Sequence, residues 1–190
     1  MTAVNSPTWN SNGFTFDGAT NYCNVNLQLS TVLADNNYAL HSYIRSCTNT
    51  NNRVIVGSNQ NLGGSPIRLR MASGTSFAFN PGSLLGGVFA SGAFPANTGM
   101  ITGTTGSNLD TRLLNNGNVI DAQTGPGSRL RSNTTLYYGA NNNNGAANNF
   151  SAGNYCFLAI SSNFSTAEMA TFYSLLQAFQ TNVIAGGRQV

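Results

Sequence analysis

NFSTAEMATFYSLLQAFQT, residues 163–181, is the one stretch of this 190-residue chain that reads convincingly as a helix. Ser165 and Glu168 stand in S-x-x-E spacing, a capping box in which the hydroxyl takes the N3 amide and the carboxylate reaches back to the cap amide. Phe164 and Met169 occupy the two positions of a hydrophobic staple around that cap. Met169, Phe172, Tyr173, Leu176, Phe179 and Val183 follow at steps of three and four and give one apolar face. Gly186-Gly187 ends the segment. The spacing predicts a helix over about 165–182. A single amphipathic helix must bury its stripe against something, and the remaining chain reads as strands, so its partner is a sheet.

Composition limits what such a chain does. Its length suits a single domain over 1–190 with a sizeable core. Charged residues make up 7% of the chain, against about 25% in an ordinary soluble domain. There is no Lys, and Glu168 is the sole Glu. Eight scattered Arg produce the net charge of +3 without a basic patch interleaved with aromatics, which argues against a nucleic-acid partner. No apolar run approaches the ~20 residues of a membrane span. The N-terminus lacks a basic region followed by an apolar one, so the reading expects synthesis in a host cytoplasm without a signal peptide. Cys23, Cys47 and Cys156 have no metal-like spacing and read as small buried thiols.

Going along the chain, GFTFDGATNYCNVNL alternates about an Asp17-Gly18 turn. In NNYALHSYIRSC, Tyr38, Leu40, Ser42, Ile44 and Ser46 form a core-like face. Ala39, His41, Tyr43, Arg45 and Cys47 form a second, more exposed one. RVIVGS is a β-branched strand. IRLRM puts Ile67, Leu69 and Met71 inside and Arg68 and Arg70 outside. TSFAFNPG repeats the alternation. Residues 83–108 read as short strands and long loops. DTRLLNNGNVIDA is a hairpin, because Asn116-Gly117 suits a turn needing positive φ at both central positions. ANNNNGAANN, 140–149, reads as a polar loop with nothing to bury. NYCFLAISS is a last strand that enters the helix. Many short strands and one late helix predict an all-β, antiparallel two-sheet sandwich, with the helix against a sheet edge or loops.

Four phrases occur in order: G-x-x-F-D-G-x-x-x-Y (Gly13 to Tyr22), L-x-N-G-x-x-I (Leu114 to Ile120), Y-Y-G-A (Tyr137 to Ala140) and F-S-T-A-E-M (Phe164 to Met169). Together they resemble the concanavalin A-like lectin/glucanase superfamily in its laminin-G-like form. The closing AFQTNVIAGGRQV is similar to the ends of such domains in tailed-phage virion proteins. The resemblance implies a jelly-roll sandwich whose opening F-D-G phrase is a hairpin. It implies no single function, since lectins, glycosidases and virion decorations share that fold.

Chemistry narrows the choice. A retaining glycosidase needs two carboxyls about 5–5.5 Å apart. The single Glu is a helix cap, and Asp17, Asp35, Asp110 and Asp121 fall in or beside turns. Asp110 and Asp121 are the one conceivable pair, facing each other across the hairpin. His41 has no nucleophile elbow to serve. The expectation is therefore a non-enzyme. For glycans, His41, Tyr43 and Arg45 on one strand face, with Arg68 and Arg70 nearby, supply an aromatic and polar donors. No cofactor is expected in so acid-poor a chain; calcium, which some laminin-G-like domains hold, would find oxygens at Asp17, Asn21 or Asp121. The reading that follows is a non-enzymatic structural module of a virus particle (phage decoration, fibre or tail-associated protein). It forms homo-oligomers with other virion proteins as partners and contacts host-surface glycans. The alternative is a lectin-like carbohydrate-binding domain outside a virion.

Overall fold

The computed structural model describes residues 1–10, 13–48, 51–59, 66–73, 75–82, 89–94, 98–106, 110–125, 128 and 131–185. The Gly186-Gly187 closing signal lies outside them. β1 (Thr2–Val4), β2 (Thr8–Asn10), β3 (Gly13–Asp17) and β4 (Tyr22–Gln28) lead into the long β5 (Tyr38–Cys47). β6 (Arg53–Asn59), β7 (Ile67–Ser73), β8 (Ser76–Pro81) and β9 (Ala90–Ala93) follow. Then come β10 (Gly99–Thr105), β11 (Asp110–Asn115), β12 (Asn118–Thr124) and β13 (Thr135–Tyr138). The chain closes with β14 (Asn141–Asn143), β15 (Ala146–Asn148), β16 (Ala152–Ser161) and helix α1 (Thr166–Ala185).

The strands form two sheets. The first runs β1-β4-β13-β6-β7-β8-β9, with the β14–β15 hairpin joined to β6. The second runs β12-β11-β10-β5-β16-β3-β2. Among the described strands every pairing is antiparallel except the short one between β14 and β6. This is the predicted all-β jelly-roll sandwich. Its core holds Tyr38, Leu40 and Ile44 from β5 against Ile67, Leu69, Met71, Phe77 and Phe79 from the first sheet. Phe16, Tyr138 and Tyr155 fill one end of it. Buried phenols need partners. Tyr38 donates to the Pro81 carbonyl, and Tyr138 donates to the Phe157 carbonyl at 3.0 Å.

Several elements depart from the sequence expectation, each for a physical reason. The F-D-G phrase is not a hairpin: β3 pairs with β16 and β2, whereas β4 pairs with β1 and β13. The Asp17-Gly18 turn carries the chain from one sheet to the other. β10, in the stretch expected to be mostly loop, is a central strand with all seven residues buried. It lacks alternation because both its faces are covered. Gly103 is the residue that lets the second sheet approach Phe79, since a Cβ there would lie 2.2 Å from the ring.

Residues 140–149 form a hairpin, not a loop. Asn144 (φ 53) and Gly145 (φ 95) make its turn, the same chemistry as Asn116 (φ 51) and Gly117 (φ 81) in the β11–β12 hairpin. Asn141 and Asn142 are buried. The Asn142 amide donates to the Thr135 carbonyl at 2.7 Å and accepts from the Gly145 amide at 2.6 Å.

α1 begins at the predicted cap: the Glu168 amide donates to Ser165 Oγ at 3.3 Å, and the Ser165 amide donates to Glu168 Oε2 at 2.7 Å. Its stripe reaches the expected edge, where Gly117 of the β11–β12 turn lies against Met169, Ala170 and Tyr173, but most of it runs further in. It lies on the outer face of the second sheet, where Met169 and Leu176 pack with Met100 of β10 and Leu114 of β11. Tyr43 of β5 and Phe157 of β16 complete this second core with Phe164, Phe172 and Tyr173. The stripe ends earlier than its spacing suggests, since Phe179 is 57% exposed.

None of the three cysteines is in a disulfide; Cys23 is buried and Cys47 and Cys156 are half-buried. Burial pushes both Cys23 and Cys47 up to about 11, which keeps them as protonated packing groups.

Candidate functional site

The outer face of the second sheet is divided at Arg45. Between β5 and β16, Ser46 stands opposite Asn154, Ile44 opposite Tyr155, and Tyr43 opposite Phe157. Arg45 on one strand and Cys156 on the other have no opposite residue. Such bulges bend a strand and re-aim its side chains. They also reverse strand parity, because the side-chain period is two. Cys47, expected on the outer face, therefore packs against the core, while Ser46, expected inside, is exposed.

α1 covers one side of this division. Gln177 Nε2 donates to the Tyr43 hydroxyl at 3.2 Å, and Gln180 Nε2 to Cys156 Sγ at 3.7 Å. Between helix and sheet runs an open groove of about 410 Å³, lined by Tyr43, Ile44, Arg45, Thr98, Gln177, Gln180 and Thr181. A second, of about 420 Å³, is lined by Asn10, Thr15, Arg45, Ser46 and Asn154. Arg45 belongs to both. Its Nε is buried without a hydrogen-bond partner, and so is Asn154 Oδ1. Asn154 Nδ2 donates to Thr15 Oγ1 at 3.0 Å, which fixes the amide in place. Among the described residues the ion pairs are Arg112 with Asp110 and Arg131 with Asp35. No acid lines either groove.

Of the residues singled out for glycan contact, Tyr43 and Arg45 line this site and His41 does not. His41 is fully buried under the helix, with Phe164 and Phe172 ring centroids at 5.8 and 5.1 Å. Its Nε2 lies 2.9 Å from Ser161 Oγ and its Nδ1 lies 3.0 Å from Thr102 Oγ1. Ser161 Oγ already donates to the Ser162 carbonyl at 2.6 Å. Nε2 is thus the donor of a neutral ring, and Nδ1 accepts from Thr102.

Burial pushes the imidazole from 6.5 down to about 4. The unfolded chain therefore binds a proton that the folded one refuses between those values. His41's contribution to stability is complete above pH 6.5 and falls by roughly 3 kcal/mol as pH drops through 4. Denaturant melts from pH 7 to 4 are expected to show this loss, and His41→Gln to flatten it. An unchanged pH profile in the variant contradicts the assignment.

Arg68 and Arg70 are on β7 of the first sheet, across the sandwich from β5. Arg70 Nε donates to Asn80 Oδ1 at 2.9 Å, and its guanidinium sits 6.0 Å from the Phe89 ring centroid. Burial, and then the neighbouring Arg70, lower Arg68 to about 10. The five candidates thus fall on two sheets and do not form one site.

The calcium candidates are also separated. Asp17 and Asn21 share a turn, but Asp121 is on β12, five strands away from β3, on the order of 24 Å at the usual strand spacing. Asp17 Oδ1 accepts from the amides of Ala19 (2.8 Å), Thr20 (2.9 Å) and Asn21 (3.2 Å). Burial pushes this carboxyl up, but the Thr20, Ala19 and Asn21 amides outweigh it and hold Asp17 at about 2. Asp121 Oδ2 accepts from the Ser91 amide at 2.8 Å. Asp121 stands opposite Leu113, and Asp110 opposite Thr124. Asp110 and Asp121 therefore do not face each other.

Sequence reasoning missed Gln177, Gln180 and Thr181. Their i, i+3, i+4 spacing marks a polar helix face, but nothing local places that face beside β5. Asn10, Thr15 and Asn154 carry no individual signal.

No protein-family model matches the chain, and no curated protein matches it in sequence. Solved structures do resemble its fold. One is the CBM40 of a Ruminococcus gnavus IT-sialidase bound to α2,3 sialyllactose (TM-score 0.60, 10% identity, 91% of this chain and 97% of that one). Another is domain 4 of AbnA, a GH43 extracellular arabinanase from Geobacillus stearothermophilus, in complex with arabinotriose (TM-score 0.62, 12% identity, 87% and 79%). A third is the binding domain of Botulinum Neurotoxin DC in complex with SialylT (TM-score 0.57, 11% identity, 86% and 42%). The chain spans 43% of HCR/D-Sa-GBL1/C and 28% of NanB, which it also resembles. Three of these neighbours, the CBM40, the arabinanase domain 4 and the toxin binding domain, were solved with a glycan bound. At such identities the likeness establishes the class of fold, a two-sheet antiparallel jelly roll, and leaves the ligand to the site.

Proposed function

We propose that this chain is a non-enzymatic, lectin-like carbohydrate-binding β-sandwich, and that its glycan site is the pair of grooves meeting at Arg45. The observation carrying this reading is the groove lining. It combines a Tyr43 ring with amide, hydroxyl and guanidinium groups, two of whose polar atoms lack a partner. Sugar recognition needs a few placed polar groups within a concave surface. The neighbours' glycan complexes support the same reading. A non-catalytic role is supported by the engagement of Asp17, Asp35, Asp110, Asp121 and Glu168 in turns, ion pairs and a cap. A glycan array probed with the fluorescently labelled protein is expected to give binding that survives chelation of calcium. An array with no bound glycan defeats the proposal.

A second reading, that the module is carried on a virus particle as a homo-oligomer, is supported by the Lys-free composition and by the closing segment AFQTNVIAGGRQV. Mass spectrometry of purified particles and light scattering of the protein test it. Its absence from particles, together with a stable monomer, contradicts it.

A further inference from the structure

Resting on the glycan reading above, we propose that the ligand is a linear anionic polysaccharide bound through an internal acidic sugar residue. The acidic group sits on Arg45, and the chain continues into both flanking grooves.

Charge carries the first half of the inference. Among the described residues lining either groove, Arg45 is the one with a formal charge. Its buried Nε has no acceptor. The chain's acids are held elsewhere: Asp35 by Arg131, Asp110 by Arg112, Asp17 by its own turn, Asp121 by the Ser91 amide and Glu168 by the helix cap. A guanidinium is a rigid fork that fits a carboxylate or sulfate through paired hydrogen bonds. A neutral sugar leaves that fork half used.

Topology carries the second half. The two grooves have similar volumes, about 410 and 420 Å³, and share Arg45 as their common wall. One continues along α1 past Gln180, the other across β16 past Asn154. Apart from Arg45, the described residues of both are uncharged: Tyr43, Ile44 and amide or hydroxyl side chains in the first, amides and hydroxyls in the second. A terminal acidic sugar leaves one groove empty, whereas an internal one places neutral contacts in both. The bulge at Arg45 presents the charge at that junction.

The test uses isothermal titration of the full chain with four probes: hexagalacturonate, trigalacturonate, the carboxyl-reduced neutral hexamer, and a sulfated galactan hexamer of equal length. Hexagalacturonate is expected to bind at least about tenfold tighter than its reduced form and to weaken as salt is raised. The trimer is expected to bind less tightly than the hexamer. Arg45→Gln is expected to abolish the difference between the acidic and reduced hexamers, and Arg45→Lys to restore part of it. Gln180→Ala and Asn154→Ala, on opposite flanks, are each expected to weaken the hexamer. Sulfated galactan binding in place of galacturonate keeps the anionic inference and moves its source from carboxylate to sulfate. Equal binding of the acidic and reduced hexamers overturns the inference and leaves the glycan reading standing. So does weakening by one flank variant alone, or binding confined to other neutral array glycans. Silence with every probe and every array glycan removes both.

Discussion

Met169→Asp is expected to destabilise the fold by about 4 kcal/mol, lowering the melting temperature by on the order of 10 °C. Met169 is 1% exposed and sits among Met100, Leu114, Leu176, Phe172 and Tyr173, where the helix meets the second sheet. Truncating a buried Met forfeits roughly 1.5–3 kcal/mol of transfer free energy. The unpaired carboxylate adds the cost of its desolvation. The same change at Phe179, which projects into solvent, is expected to leave the melt nearly unchanged. Thermal unfolding by circular dichroism checks both. A Met169→Asp variant that melts like the parent means that the helix does not cover the sheet, and the groove along it is then lost as well.

Gly103→Ala is expected to cost about 3 kcal/mol for a single methyl group. The added Cβ lies 2.2 Å from Phe79 ring carbons and 2.7 Å from the Phe79 Cβ, and Phe79 is fully buried between the sheets. Phe79 is packed within the buried core cluster, so the strain spreads into it. In a Phe79→Ala background, which removes the ring but keeps the Phe79 Cβ 2.7 Å away, the same substitution is expected to cost clearly less, giving a coupling of about 1–2 kcal/mol in a double-mutant cycle. Additive effects contradict the packing.

These two positions also show which parts of the fold local sequence can encode. Met169 is legible because the helix has a solvent side and a buried side. The cap, the staple and the 3.6-residue period all state the same thing. β7 is legible for the same reason, with Ile67, Leu69 and Met71 inside and Arg68 and Arg70 outside. Gly103 lies on a strand buried from both sides, so no alternation exists to be read. β14 and β15 are held by asparagine amides instead of apolar contacts, although Asn144-Gly145 announces their turn. Asp17-Gly18 specifies a change of direction but not which sheet receives the next strand.

The site was partly legible for a similar reason. Alternation on β5 correctly puts Tyr43 and Arg45 on the outer face and Leu40 and Ile44 inside. It cannot show that α1 covers His41 while stopping short of Arg45. Nor can it show that a bulge at Arg45 reverses the strand beyond. The separation of Arg68 and Arg70 from Arg45 is a property of sheet order, a long-range feature that no spacing records.

The central claim is that glycans bind at the Arg45 junction on the second sheet. Titrating the tightest array glycan against the native chain, Arg45→Ala and Arg70→Ala tests it most directly. The account predicts that Arg45→Ala loses about 10- to 100-fold in affinity, the worth of a charge-assisted hydrogen bond, while Arg70→Ala binds as the native chain does. Loss confined to Arg70→Ala would place the site on the opposite sheet and contradict the account.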